Sequence, residues 1–175
     1  MGTIFVDKLD PQSGTNLTLG SSGDTVTLTA GAKTSGFGKI GQVQSTTLSE
    51  DINTTSTSFV ATNITDSITP TSTSSKILIL INGGRSSYNS GAAEGSTKLY
   101  YQVGSGSFSA ITDIKKSENN QSGNYAHTSL SFNFLHSPSS TSALTYKVYV
   151  KTNANNYYLN SDTSAVNITL MEILD

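Results

Sequence analysis

The acidic side chains are the first candidates for catalytic chemistry in this sequence. A glycosidase needs two carboxylates that flank the scissile bond, and an α/β-hydrolase places its nucleophile in a G-x-S-x-G turn. The sequence has no G-x-S-x-G, and none of its acids lies in a recognisable motif. We therefore predict no enzymatic activity and interpret these acids as solvated turn and loop residues. The seven that we considered as catalytic candidates are Asp51, Asp66, Glu94, Asp113, Glu118, Asp162 and Glu172.

The sequence also offers no ligand set for a metal ion or a cofactor. It has no cysteine, which excludes disulfides and thiolate metal sites. Its histidines, His127 and His136, form neither an H-x-H nor an H-x-x-x-H pair, and no calcium-loop motif occurs. Gly83-Gly84 follows a predicted strand but precedes no predicted helix, so we interpret it as a turn and not as a phosphate-binding loop. We predict no metal and no cofactor.

The charge and the apolar content of the chain limit which classes of partner it can bind. Charged residues make up 13% of the 175 residues and the net charge is −2, against about 25% charged residues in ordinary domains. Without a basic field we expect no nucleic-acid partner. No segment approaches the roughly 20 apolar residues that span a membrane, so we expect no membrane insertion. The opening apolar run ends at Asp7, so we expect no signal peptide and synthesis in a cytoplasm.

Two apolar segments, 76–82 and 166–174, stand out from a polar chain. The first, KILILIN, is a run without polar alternation, which is typical of a strand covered on both faces. One face can cover the core of a sandwich, and we expect the other to meet identical subunits. The residues predicted to form that subunit interface are Ile77, Ile79, Ile81, Ile168, Leu170, Met171 and Ile173.

The remaining pattern predicts an all-β chain in two parts. Residues 42–175 contain eight or nine predicted strands at spacings that favour an antiparallel β-sandwich of the jelly-roll kind. Residues 1–41 consist of short apolar stretches followed by a Gly-rich linker. The few apolar side chains can bury little area, and at about 25 cal/mol per Å² this burial cannot offset the conformational entropy lost when so many residues are ordered. We predict that 1–41 does not fold alone and is a β-rich attachment and stem segment, which either wraps around copies of itself or docks on a larger partner. Its candidate anchors are Ile4, Val6, Leu17, Leu19, Val26 and Leu28.

Several stretches of the chain resemble one family. They are the opening residues 1–9 and 17–28, then 57–60, 67–78 (SITPTSTSSKIL), 137–148 (SPSSTSALTYKV) and 168–173 (ITLMEI). Together they are similar to the structural proteins and fibres of marine tailed bacteriophages. The resemblance implies a trimeric virion appendage with a head like the C1q/TNF jelly roll, and an intertwined N-terminal segment that attaches to other virion proteins. Such a protein is made in the host cytoplasm and located in the virion.

Three loops combine aromatic rings with amide groups, and they are the predicted receptor-binding surface. Sugar rings stack on aromatic side chains and hydrogen-bond to amides, and loops on a rigid sandwich commonly carry binding. Three-fold display would add avidity toward a host glycan or protein. A capsid decoration or collar protein without a receptor role, and a carbohydrate-binding module, are the alternatives. The residues are Arg85, Tyr88, Asn89, Glu94, Asn124, Tyr125, Asn155 and Tyr157.

Overall fold

The computed structural model describes residues 39–88, 93–120, 128–160 and 164–174, together with Thr25 and Thr27. The chain divides into two units, residues 1–37 and 38–175, and the strands described below all lie in the second. The predicted attachment residues lie outside the described residues, so the anchor role stays a prediction. They are Ile4, Val6, Leu17, Leu19, Val26 and Leu28.

The described residues form β-strands and their connections, with no helix among them and hence none that could cross a membrane. The all-β prediction is therefore confirmed. The strands are β1 (Ile40–Leu48), β2 (Ile52–Thr54), β3 (Val60–Ile68), β4 (Lys76–Tyr88), β5 (Ala93–Val103), β6 (Ser109–Asn120), β7 (Thr128–His136), β8 (Leu144–Thr152), β9 (Tyr157–Leu159) and β10 (Val166–Ile173).

The long strands form nested antiparallel pairs, from the outermost strands of the chain inward. The pairs are β1 with β10, β3 with β8, β4 with β7, and β5 with β6, all antiparallel. Sheet 1 has the order β1-β10-β4-β7, and the short strands β9 and β2 continue it beside the end of β4. Sheet 2 has the order β3-β8-β5-β6. Pairing of the first long strand with the last, the second with the next to last, and so on is the jelly-roll arrangement, which confirms the predicted sandwich.

The core lies between the two sheets and follows the two-residue period of the strands. On β4 the odd-numbered side chains Ile77, Ile79 and Ile81 are completely buried, whereas the intervening leucines are only half-buried. The even-numbered side chains of β8 and β10 complete the core in the same way. They are Leu144, Tyr146, Val148 and Val150 on β8, and Val166, Ile168 and Leu170 on β10.

A glycine pair bends β4 at the point where it changes partners. β4 pairs with β10 as far as Gly83 and with β9 at Ser87 and Tyr88. Gly83 has φ +99°, and a Cβ there would lie 2.4 Å from the carbonyl oxygen of Ala165, so only glycine fits. Gly83-Gly84 therefore lies inside a strand that bends, where the sequence predicted a turn and a long loop.

One end of the sandwich closes on a buried carboxylate. Glu172 has no exposed surface and lies in β10, so its interpretation as a solvated turn or loop acid was wrong. The backbone N–H and the hydroxyl of Thr71 donate to its Oε1 at 2.6 and 2.8 Å, and Gln42 Nε2 donates to its Oε2 at 2.8 Å. Burial alone would raise the pKa of Glu172, but hydrogen bonds, chiefly those from Gln42 and Thr71, outweigh the effect of burial and hold the pKa below its ordinary value. The carboxylate thus joins β1, β10 and the β3–β4 turn.

Candidate interaction surfaces

The outer face of sheet 1 carries a row of apolar side chains. Val43 lies opposite Met171, Met171 opposite Leu78, and Leu78 opposite Leu135, so the four side chains cross four adjacent strands on one face. Val43 is 50% exposed and Leu135 48%. Such a contiguous row is unusual on an isolated soluble subunit and commonly marks an interaction site.

The apolar area extends to one end of the same face. Ile40, which is 55% exposed, lies opposite Ile173. We call the outer side chains of β1, β10, β4 and β7, from Ile40 to Thr47 along β1, the assembly face. Its apolar end contains Ile40, Val43, Leu78, Leu135, Met171 and Ile173.

The other end of the assembly face consists of hydroxyls and amides bonded to one another. Asn167 Nδ2 donates to Ser45 Oγ and to Thr47 Oγ1, each at 3.0 Å, and the Thr169 hydroxyl donates to Asn167 Oδ1 at 2.7 Å. The sole ionisable side chain among the described residues of the face is Lys76, opposite Ile173. The face is therefore nearly neutral along its whole length.

The residues predicted from sequence to form the subunit interface divide between the two sides of sheet 1. Met171 and Ile173 are half-buried on the assembly face. The other five are at most 1% exposed inside the sandwich, so their side chains are not available to a second subunit. Those five are Ile77, Ile79, Ile81, Ile168 and Leu170. The half-buried leucines at 78 and 80 hold the outward positions of the same strand.

Sheet 2 carries a different surface on its outer side. Lys98 lies opposite Tyr149 and Tyr100 lies opposite Lys147, so lysines and tyrosines alternate across β5 and β8. The rings of Tyr100 and Tyr149 are in contact, with centroids 4.0 Å apart and planes tilted by 31°. These side chains are half-buried, which leaves part of each in contact with solvent.

Two phenylalanines lengthen this strip of rings. The Phe59 ring lies 6.5 Å from that of Tyr100, and the Phe108 ring lies 6.1 Å from that of Tyr149. Three ammonium groups lie over the phenylalanines: Lys98 at 5.9 Å and Lys151 at 5.1 Å from Phe59, and Lys147 at 5.2 Å from Phe108. We call the four rings and three lysines the aromatic–lysine face.

Sequence reasoning missed the aromatic–lysine face, although a signal was present. On β8 the apolar side chains at 144, 146, 148 and 150 alternate with Thr145, Lys147, Tyr149 and Lys151. Lysine or tyrosine at three of these four outward positions indicates more than a solvated strand. Burial, with a smaller contribution from Tyr100, raises the pKa of Tyr149, so its hydroxyl stays protonated at neutral pH and can donate a hydrogen bond.

The structure brings some of the predicted receptor loops together. Tyr88 of β4 pairs with Tyr157 of β9. Asn153, at the start of the β8–β9 turn, accepts a hydrogen bond from the Glu94 N–H at 2.6 Å, and Asn155 in that turn is exposed.

Other members of the predicted receptor set are less accessible or lie elsewhere in the chain. Tyr157 is only 2% exposed and belongs to the core, and Arg85 is half-buried. Asn89, Asn124 and Tyr125 lie outside the described residues. The receptor prediction is therefore untested at those three positions.

One histidine–tyrosine pair lies inside the sandwich. His136 Nδ1 and the Tyr146 hydroxyl are 2.8 Å apart. Burial lowers the pKa of His136 and raises the pKa of Tyr146, and the neighbouring Tyr101 raises the pKa of Tyr146 further. Both therefore stay neutral near pH 7 and share one hydrogen bond, whose donor is set by the tautomer of the His136 ring. Among the described residues no three His, Cys, Asp or Glu side chains are grouped so as to hold a metal ion.

The strand order and pairing define the described region as a jelly-roll β-sandwich. No protein-family model matches the sequence, and a comparison with curated proteins finds no match either. Among solved structures, the chain is similar to the VP2 subviral particle of infectious bursal disease virus, with 11% identity over 75% of this chain and 33% of that chain and a TM-score of 0.42. It is also similar to T=1 particles derived from that virus, with 10% identity over 77% of this chain and 41% of that chain and a TM-score of 0.40. The matched region is thus less than half of those longer chains.

Proposed function

We propose that this protein is a structural protein of a bacteriophage virion that assembles as a homotrimer through the assembly face. The observation that carries the proposal is the row from Val43 to Leu135, whose end members are half exposed on the single subunit. The resemblance of the sequence to phage structural proteins and fibres supports the virion assignment. In this proposal the N-terminal segment attaches to other virion proteins, and the head contacts the host surface.

The chemistry of the assembly face favours a second copy of the same chain as its partner. A strongly charged face would repel an identical face, whereas this one carries a single lysine among its described residues. Hydroxyl and amide groups both donate and accept hydrogen bonds, so Ser, Thr and Asn side chains can pair with their own copies. The apolar end supplies the area whose removal from water drives association.

The size of the face favours a ring over a pair. Four strands with eight residues each cover about 19 by 27 Å, or roughly 500 Å². A standard interface uses about 800 Å² per partner, so two faces in isologous contact would make a small interface. In a closed three-fold ring each subunit makes two interfaces, so it can remove more of its surface from water than it would in a pair.

Light scattering coupled to gel filtration tests the assembly. We expect the wild type to elute at about 55 kDa, three times the 18.4 kDa subunit. Val43→Asp with Leu135→Asp should give a folded species of one subunit, because an unpaired charge in an apolar interface is costly. Val103→Asp is the matched control, since Val103 is 37% exposed on sheet 2, and it should stay trimeric. A wild type that is monomeric at micromolar concentration contradicts the proposal, as does a trimeric double variant.

Electron microscopy of the intact particle, with the chain located by antibody labelling, tests the virion assignment. We expect label on a projecting appendage. Label on the flat capsid surface would instead favour a decoration protein. Deletion of residues 1–33 should leave a folded head that no longer enters particles, and unchanged incorporation would overturn the anchor role.

A further inference from the structure

We propose that the aromatic–lysine face binds an anionic polysaccharide, that is, a sugar polymer that carries carboxylate or sulfate groups. The inference gives a surface and a ligand class to the host contact, and in that sense it rests on the proposed function. Binding itself is a property of one subunit, because the face lies on sheet 2 and the assembly face lies on sheet 1.

The rings form a continuous strip on which sugar units can stack. Phe59 and Phe108 flank the pair of Tyr100 and Tyr149, and each neighbouring pair of centroids lies between 4.0 and 6.5 Å apart. The C–H faces of sugar rings are apolar and fit the face of an aromatic ring, while the tyrosine hydroxyls remain as hydrogen-bond donors. The strip therefore supplies apolar contact and hydrogen bonding together.

The lysines add positive charge along the strip. Lys147 and Lys151 are four residues apart on β8, which places their backbone positions about 13 Å apart. The described partners of their ammonium groups are the rings of Phe108 and Phe59, and no described carboxylate neutralises them. An anion on a sugar unit can therefore approach these ammonium groups without displacing an ion pair to any described carboxylate.

The charge balance of the chain favours a lightly charged polymer over a nucleic acid. The net charge is −2 and the pI about 5.6, so a dense phosphate backbone meets overall repulsion. Arginine is the side chain best suited to phosphate, and the single arginine of the sequence, Arg85, lies on β4 of the other sheet. A polysaccharide with separated charges needs only a few lysines and matches the aromatic strip.

Surface plasmon resonance on the full chain tests the proposal. The immobilised probes are hyaluronan, with one carboxylate per disaccharide, κ-carrageenan, with one sulfate per disaccharide, neutral dextran as the uncharged control, and poly(dT) as the nucleic-acid alternative. We expect binding to hyaluronan or κ-carrageenan that weakens as salt rises, and little binding to dextran. No binding to either charged polysaccharide overturns the proposal, and so does tighter binding to poly(dT).

A matched pair of variants assigns the binding to this face. Lys147→Gln with Lys151→Gln should weaken binding about fourfold to twenty-fivefold, because each ion pair in contact with solvent contributes roughly a twofold to fivefold change in affinity. Lys39→Gln removes an exposed lysine outside the face and should bind as the wild type does. Equal binding by the double variant overturns the proposal. Since that variant should remain trimeric, failure of binding and failure of assembly are separate results.

Discussion

Replacing Glu172 by glutamine tests whether one buried carboxylate holds the end of the sandwich together. In the wild type this carboxylate accepts two hydrogen bonds from Thr71 and one from Gln42. Gln42 is fixed in turn, because its Nε2 also donates to the Thr69 carbonyl oxygen at 2.6 Å. Glutamine has nearly the same shape but brings an NH₂ group to face one of these donors, so the network cannot be satisfied as it stands.

The expected cost follows from the three bonds. A hydrogen bond to a charged group contributes about 1.5–3 kcal/mol and a neutral one about 0.5–1.5. If the glutamine carbonyl keeps the two Thr71 bonds, each weakens by about 1 kcal/mol, and the Gln42 bond is lost or Gln42 turns away from Thr69. The total is about 3 kcal/mol, which is a large part of the roughly 5–15 kcal/mol that stabilises a domain.

Urea denaturation at fixed protein concentration measures this cost. At pH 7 we expect Glu172→Gln to lower the free energy of unfolding by about 3 kcal/mol. Glu50→Gln, at an exposed acid that accepts one bond from Asn63 at 2.9 Å, should lower it by less than about 1 kcal/mol. A Glu172→Gln variant within 0.5 kcal/mol of the wild type, about one weak hydrogen bond, would refute the assigned role.

The pH dependence gives a second test of the same carboxylate. Because the folded-state pKa of Glu172 lies below its ordinary value of 4.5, the stabilisation is present above pH 4.5 and is lost as pH falls through the folded-state pKa. The glutamine variant has no such titration. The difference between wild type and variant should therefore be constant from pH 7 to about 5 and narrow below 4.5, and a difference that does not change with pH would count against the assignment.

Two further pairs of substitutions test the core and the bend in β4. Ile79→Ala should lower the free energy of unfolding by about 2–5 kcal/mol because it opens a cavity in the core. Leu80→Ala on the assembly face should lower it by less than half as much in a monomeric background. Equal losses in urea denaturation would mean that the two faces are wrongly assigned. Gly83→Ala should cost more than about 3 kcal/mol, because a φ of +99° is strained for alanine and its Cβ would meet the Ala165 carbonyl oxygen. Gly104 also has a positive φ, +55°, but nothing lies within 4 Å of an added Cβ. Gly104→Ala should therefore lower the free energy of unfolding by only about 1 kcal/mol. Similar thermal unfolding of the two glycine variants would show that the approach of Gly83 to the Ala165 carbonyl oxygen is unimportant.

The candidate surfaces were only partly predictable. The sequence marks β4 and β10 as strands that need cover on both faces, and the structure does give β4 a second, outward row of leucines. The aromatic–lysine face was not predicted because its rings come from positions 59, 100, 108 and 149. Nothing local places those residues together. The register of β5 on β8, set by long-range pairing, decides that Tyr100 lies near Tyr149.

The sequence by itself determined that the chain from residue 42 onward is built of antiparallel strands. Apolar and polar residues alternate in segments such as 144–150, where the apolar side chains are Leu144, Tyr146, Val148 and Val150. This alternation predicts a strand, because side chains in a strand point to the two faces with a period of two residues. It also determined which side of β8 faces the core.

Only the tertiary structure decided which side of KILILI faces the core. Residues 77–81 of this run are apolar at every position and fit the interior in either orientation, so their local pattern carries no information on the choice. Pairing with β10 and β7 resolves it, because Ile77, Ile79 and Ile81 share a face with Ile168, Leu170, Phe132 and Phe134. The leucines at 78 and 80 then face outward with Val43, Met171 and Leu135.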